Sequence, residues 1–320
     1  KSLDNFSAAQ TAAEEKRIEE RVQETLRQHG AAYLEQYKPL PPVPAQILTS
    51  RVEEMGFDTP QERVALFSDL HFGSQIAPRV AAGLARYDIP TARAREARWR
   101  DGVLRFTQMN QVLLSLDTLH IFALGDDIEG HGAMFGSQAF QLETSVGFQV
   151  LGFIDDTSSI LLDFLQRYEH IKVYKVHGNH GRIAARARDS YPPDNLEIMA
   201  WRNIADRVRV QTGGDWSTSV NGIEQLLGGR IDFYISPSEL MFVDILGWTF
   251  ALRHGHGLRN LLTTYVGVQD NKYRLNSIVG AIVNYYIFAH HHFPQSVEAE
   301  IRGETIGTGC FVCPSLLSLM

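Results

Sequence analysis

The chain has 320 residues, 44% of them hydrophobic and 21% charged, with a formal net charge of -7. These values exclude a collagen-like, disordered or disulfide-built chain and suit one large core plus a smaller appendage. Taken alone, the acidic balance argues mildly against broad nucleic-acid binding, although the charge is unevenly placed. No apolar run reaches membrane-spanning length, since the longest, Ser277 to Ala289, is short and broken by Asn284.

The chain opens with Lys1 and closes on the apolar Leu316 to Met320, so trimmed ends are expected, and no leader is read at the start. Residues 8–37 read as a charged helix with a thin apolar stripe, Ile18, Val22, Leu26 and Tyr33. The Pro-rich stretch Pro39 to Pro44 then marks a linker. The expected division is a helical arm over residues 1–45 and a main domain over 46–320. The arm either packs on the domain or pairs with a partner protein or a second copy.

From residue 63 short apolar runs alternate with helical stretches. Strands are expected at Arg63–Ser68, Leu119–Leu124 and Ile171–Val176, and helices over 89–116, 138–168 and 195–208. This β-α-β order implies an α/β fold with a partly parallel sheet under helical cover. After residue 230, strands are expected at Ile231–Ile235, Leu240–Ile245, Trp248–Arg253, Tyr285–Ala289 and Val297–Ile301, with one or two helices over 257–282. They predict a second, more antiparallel sheet. Cys310 and Cys313 are the only cysteines, which fits a reducing, cytoplasmic compartment. Four ligands would be needed for a closed zinc site, so the pair reads as two small residues of a buried strand.

Five expected strands end in polar residues able to bind metal: Asp69-Leu70-His71, Gly125-Asp126-Asp127-Ile128-Glu129, Gly178-Asn179-His180, Arg253-His254-Gly255-His256 and Ala289-His290-His291-His292. Ligands of open α/β sheets gather beyond the carboxyl ends of strands. In an extended segment, residues two apart point the same way, which pairs Asp69 with His71 and His290 with His292 and turns His291 aside. Carboxylates, imidazoles and an amide together suit manganese, iron or zinc better than calcium.

The ordered motifs DLH, GDDIE, GNHG, RHGH and AHHH resemble the calcineurin-like metallophosphoesterase family over roughly residues 63–313. The resemblance implies a four-layer sandwich of two mixed β-sheets flanked by helices. It implies two divalent ions, with manganese expected and iron, zinc, magnesium or nickel as alternatives. One would be held by Asp69, His71 and His292, the other by Asn179, His254 and His290, with Asp126 between them. It further implies that His180 faces the substrate as general acid, and that a water activated by the metals attacks phosphorus. Two departures stand out: Gly181 replaces the acidic residue that follows G-N-H, and Ala289 replaces a glycine. Asp127 and Glu129 read either as outer support or as loop charges, and His131 and His256 lie close to the motifs.

The stretch after Gly125 lacks the arginine of protein phosphatases, and the pattern is similar to that of DNA-repair exonucleases and of phosphoesterases encoded by bacteriophages. Host cytoplasm is the implied setting for a phage protein. Arg79, Arg86, Arg93, Arg95, Arg98 and Arg100, with Arg182, Arg186, Arg188, Arg253 and Arg259, read as either a basic rim or a solvated face. The expected activity is hydrolysis of phosphodiesters in DNA or RNA, with His131, Arg182 and His256 as substrate contacts. The rival expectations are a small-molecule phosphatase or phosphodiesterase and a non-catalytic scaffold.

Overall fold

Alternating side chains give the first sheet two different faces. In β1 (Arg63–Phe67), Ala65 and Phe67 enter a core shared with helices, while Val64 and Leu66 face a second sheet. The same alternation runs through β2 (Thr118–Ala123) and β3 (His170–Lys175). A strand buried on both sides gains roughly 25 cal/mol per Å² of apolar surface removed from water, which accounts for the apolar residues on both faces of these runs.

The computed structural model describes residues 61–312, apart from 82, 84, 111–115, 133–137, 185–190, 220, 257–275, 278–282 and 299–302. The chain divides into two units, Lys1–Phe57 and Asp58–Met320, and all described residues belong to the second. The expected arm and linker, most of the 257–282 stretch, and Cys313 lie outside the described residues.

The described residues form a six-stranded and a five-stranded sheet. The first has the order β1-β2-β3-β6-β5-β4, where β4 is Asp215–Thr218, β5 is Glu224–Leu227 and β6 is Ile231–Ile235. Strands β1, β2, β3 and β6 run parallel, and β4 and β5 add an antiparallel edge. The second has the order β10-β11-β9-β8-β7, from β7 (Leu240–Ile245), β8 (Trp248–Arg253), β9 (Tyr285–Phe288), β10 (Gln295–Glu298) and β11 (Glu304–Gly307). It is mixed: β8, β9 and β11 run parallel, and β7 and β10 pair antiparallel at its edges.

Helices α1 (Ile89–Asn110), α2 (Val146–Phe164) and α3 (Leu196–Thr212) build the core on the first sheet's outer face. The first and third have a local reason to start or stop. Asp88 caps α1 by accepting from the Thr91 amide at 2.9 Å, and Asn195 caps α3 by accepting from the Glu197 amide at 2.9 Å. Gly213, at φ 78°, ends α3. Between the sheets, Phe122, Leu124 and Tyr174 meet Met241, Val243, Leu252 and Ile287. The two mixed sheets and the helical layer agree with the expected α/β class. On the second sheet's far side, Ala251, Val283, Tyr286 and Phe288 are buried together.

Several expectations need correction. Ile231–Ile235 belongs to the first sheet, paired in parallel with β3, because Ile231, Phe233 and Ile235 enter the helix-side core. The helix expected over 138–168 begins only at Val146, since residues 138–141 form a 3-10 turn and Gln138 is drawn into contacts with Glu129. Strands β4, β5 and β11 are additional, and β10 begins two residues before the expected Val297.

One residue of α1 sits uneasily in the core. Glu96 is 1% exposed, and neither carboxylate oxygen has a hydrogen-bond partner among the described residues. Burial, helped by the Asp156 charge, pushes its carboxyl up to about 8. The folded protein therefore binds a proton that the unfolded chain releases near the ordinary value of 4.5. Stability should fall as pH rises from about 4.5 towards about 8. Glu96→Gln should raise the melting temperature by a margin that widens between pH 5 and pH 8. A margin that stays constant across a thermal-melt series would show that Glu96 does not titrate in this window.

Candidate metal centre

The loops beyond the strand ends stay hydrogen-bonded to one another. The Asp69 amide donates to the Gly125 carbonyl and the His71 amide to the Asp126 carbonyl, each at 2.9 Å. Gly125 and Gly178 permit a tighter approach. A Cβ on Gly125 would lie 2.3 Å from the Gly178 nitrogen, and one on Gly178 would lie 2.2 Å from Asp126 Oδ1. Only glycine lets these loops touch.

All seven expected ligand residues come together. Asp69, His71 and His292 form one group, and Asp126, His254 and His290 another. His71, Asp126 and His180 form a third, which links the first two. Asn179 Oδ1 lies 3.1 Å from His254 Nε2. Backbone conformation marks the same place. Among the described residues, six that are not glycine have positive φ, and five of them are Asp69, His71, Asp126, His290 and His292. Such conformations cost on the order of 1 kcal/mol or more each and persist only where surrounding contacts enforce them.

The facing atoms are lone-pair donors. His254 Nδ1 lies 2.7 Å from the Leu124 carbonyl, which can only accept, so Nδ1 carries the proton. Its Nε2 then presents a lone pair 3.0 Å from Asp126 Oδ2. His71 repeats the device: Nδ1 donates to Glu129 Oε2 at 2.9 Å, and Nε2 faces His292 Nε2 at 3.3 Å and Asp126 Oδ2 at 3.8 Å. His292 Nε2 lies 3.3 Å from Asp69 Oδ1. Lone pairs this close and this dry repel unless positive charge lies between them. Protons supply that charge in the unmetallated protein. Burial depresses His254, yet Asp126 holds it up at about 9, and Asp69 likewise holds His292 at about 10. His290 goes the other way, to about 3, through burial and the neighbouring His254 charge. Burial favours protonation of Asp126, but the His254, His180 and His71 rings outweigh it and hold the carboxyl well below its usual range. A donor set of carboxylate, imidazole and amide oxygen fits divalent transition ions, and the fixed Nδ1 protons aim each Nε2 inward.

His180 lies against this group, its ring 4.4 Å from that of His71 and its Nε2 4.0 Å from Asp126 Oδ2. Its Nδ1 is 3.0 Å from the Glu129 carbonyl and 3.3 Å from Gln138 Nε2. Glu129 thus supports both His71 and His180. Gly181 is glycine because a Cβ there would lie 2.3 Å from Asn195 Oδ1 and 2.6 Å from Glu197 Cγ. The space an acidic side chain would need at 181 is held by Asn195, the cap of α3, and by Glu197 in its first turn. Ala289 packs into the core between the sheets.

Of the remaining candidates, Arg182 is pushed below the usual guanidinium range by burial, which the nearby Asp126 charge only partly offsets. Its carbonyl is 3.1 Å from His131 Nε2. His256 Nε2 pairs with Glu239 at 3.0 Å, its ring 5.6 Å from that of His254. His291 joins none of the three groups. Asp127 faces away from the donors. Its carboxylate pairs with Lys175, which also reaches Glu197 Oε2 at 3.0 Å, and it accepts from the Trp201 indole at 2.8 Å. Glu197 accepts from the Gly178 amide at 2.9 Å, so this trio ties the Asp126 and Asn179 loops from below. Lys175, Glu197, Gln138 and Asn195 carry no motif signal; a lysine at the inner end of a buried strand is the only irregularity that points to them.

No family model matches the chain, and no curated protein matches it. Among solved structures, zinc-bound Vps29 from Entamoeba histolytica is similar at 10% identity and a TM-score of 0.29, covering 77% of this chain and 73% of that one. A predicted phosphoesterase from Streptococcus pneumoniae has 12% identity and a TM-score of 0.29, covering 78% and 74%. A 5'-nucleotidase from Candida albicans has 10% identity and a TM-score of 0.32, covering 79% and 46%. The chemistry of the centre is therefore read from this chain's own side chains.

Lys175 is 0% exposed, and its removal would strand two buried carboxylates. Lys175→Met should cost about 3–5 kcal/mol in urea denaturation. A loss below about 1 kcal/mol would show that the trio is not ionised in the native state.

Proposed function

We propose that the chain is a dinuclear metallophosphoesterase that hydrolyses phosphodiesters in DNA or RNA. The reading rests on one observation: the Asp126 carboxylate belongs to two donor groups at once, one with His71 and one with His254 and His290. In this reading Asp69, His71 and His292 hold one ion, Asn179, His254 and His290 hold the other, and Asp126 contacts both. Two divalent ions so held would supply Lewis acidity to a phosphoryl oxygen and lower the pKa of a water.

The chain's own groups supply the rest. The Leu124 carbonyl and the Glu129 carboxylate keep Nδ1 of His254 and His71 protonated, so both rings would offer Nε2 to an ion. His180, with Nδ1 held at the Glu129 carbonyl, presents Nε2 for proton delivery to the departing oxygen. Arg182 offers a planar, permanently charged fork to a phosphate at the mouth. Several arginines of the expected basic rim make contacts within the fold. Arg93 pairs with Asp156 at 2.7 Å, Arg100 pairs with Asp163 at 2.8 Å, and Arg95 donates to the Phe311 carbonyl. Arg86 likewise pairs with Asp88 at 2.7 Å, and Arg253 with Glu239 at 2.9 Å. Arg186, Arg188 and Arg259 lie outside the described residues. Among the described residues, no helix is long and apolar enough to cross a membrane.

Asp126→Ala should abolish turnover of bis-p-nitrophenyl phosphate with manganese and lower bound metal measured by elemental analysis. Retention of most activity would refute the reading. A scaffold would bind little metal even with Asp126 in place. His180→Ala should slow the diester reaction by roughly 10²–10⁴-fold while leaving metal content unchanged; loss of metal would make His180 a ligand instead. Rates on mono- and diester reporters, then on labelled single- and double-stranded DNA and RNA, separate a nuclease from a small-molecule phosphatase.

A further inference from the structure

Large apolar side chains stand in solvent beside the residues of the centre. Phe293 follows His292 directly and is 61% exposed. Phe140 is two residues past Gln138, whose amide reaches Glu129 and His180, and it is 87% exposed. Tyr191, 71% exposed, precedes by four residues Asn195, the bridge partner of Arg182. Single exposed apolar side chains are ordinary, and several beside one site are notable. Phe140 and Phe293 attach to two different segments, one bearing Gln138, which supports Glu129 and His180, and the other bearing His292. An apolar protein partner would match the rings but would set its own surface against a centre built from carboxylates and imidazoles. A ligand that offers flat apolar faces at the ends of an anionic backbone matches both halves at once.

We infer that Phe140 and Phe293 are stacking platforms for unpaired bases, so that the substrate is a single-stranded nucleic acid taken up with little regard to sequence. In a duplex the bases are stacked on one another and their faces are covered. In a single strand the faces are free, and every base has one, so aromatic platforms bind strands without reading them. Tyr191 serves as a further contact on the Arg182 side. This inference rests on the phosphodiesterase reading for the site, but its platforms are separate from the metal ligands.

The test measures fluorescence anisotropy of a labelled phosphorothioate oligothymidylate and of a matched duplex, with wild type and with Phe140 and Phe293 variants. Each Phe→Ala change should weaken single-strand binding by about tenfold and shift duplex binding by less than about twofold. Phe→Leu, apolar but without a ring face, should behave like alanine, and Phe→Trp should restore binding. Leucine performing as well as phenylalanine, or equal losses on duplex and single strand, would overturn the inference. So would unchanged oligonucleotide binding by the alanine variants together with loss of a concentration-dependent dimer in sedimentation velocity, which would make a second copy of the chain the occupant. Turnover of bis-p-nitrophenyl phosphate by wild type is run alongside. A wild type that cleaves the reporter while the platform variants bind normally sinks the stacking inference and leaves the phosphoesterase reading standing. Failure of the wild type to cleave sinks that reading, whatever the anisotropy shows.

Discussion

The structure depends on a concentration of unshared electron pairs in a place with little water. Asp69, Asp126 and His254 are almost fully buried, and their donor atoms face one another with His71, His290 and His292. An isolated carboxylate in such surroundings is costly by several kcal/mol, so the arrangement requires positive charge at its middle. Without metal, His254 and His292 hold protons well above the usual imidazole range. Divalent ions bound there would replace those protons with the same sign and more of it. Metal uptake would then be a competition with protons held by the same side chains, and affinity would be pH-dependent for that reason.

The scaffold answers this demand in layers. Parallel strands deliver Asp69, Asp126 and Asn179 to one edge of the first sheet, and β8 and β9 of the second sheet deliver His254, His290 and His292 to the same place. Beneath the donors, Lys175 neutralises Asp127 and Glu197, and Glu197 in turn holds the Gly178 amide. Burial pushes Asp127 up to about 6 while the Lys175 ammonium pulls it down, so the trio is a balance of opposed charges. One cation at the inner end of β3 thus helps fix two loops whose outer residues must converge to within ångströms.

The parts legible in the sequence are those whose signal is local. The bounds of β7 and β8 agree with the apolar runs, and the five motifs sit where their strands end because a polar residue after a buried strand has few other places to go. Three kinds of feature were not legible. Strands β4, β5 and β11 are short and carry Asp215, Ser217, Glu224, Gln225 and Glu304, so neither alternation nor composition marks them. The assignment of β6 turned on a pairing with β3 more than fifty residues away in sequence. The supports of the centre are selected by tertiary contact alone: Gln138 by Glu129, Glu197 by Gly178, and the imidazole of His254 by a backbone oxygen at Leu124. Gly181 is a departure from the expected motif whose cause, the cap and first turn of α3, lies fourteen to sixteen residues downstream.

The Asp69 loop is closed from the far end of the described chain. The Phe311 amide donates to the Asp69 carbonyl at 3.1 Å, and the hydroxyls of Ser68 and Thr308 meet at 2.7 Å. During synthesis, the first of the acidic donors is thus made some 240 residues before the segment that locks it in place. A nascent chain would carry a half-built, cation-hungry edge until residues 308–312 cleared the ribosome, and metal captured before then would be held by an incomplete set of arms.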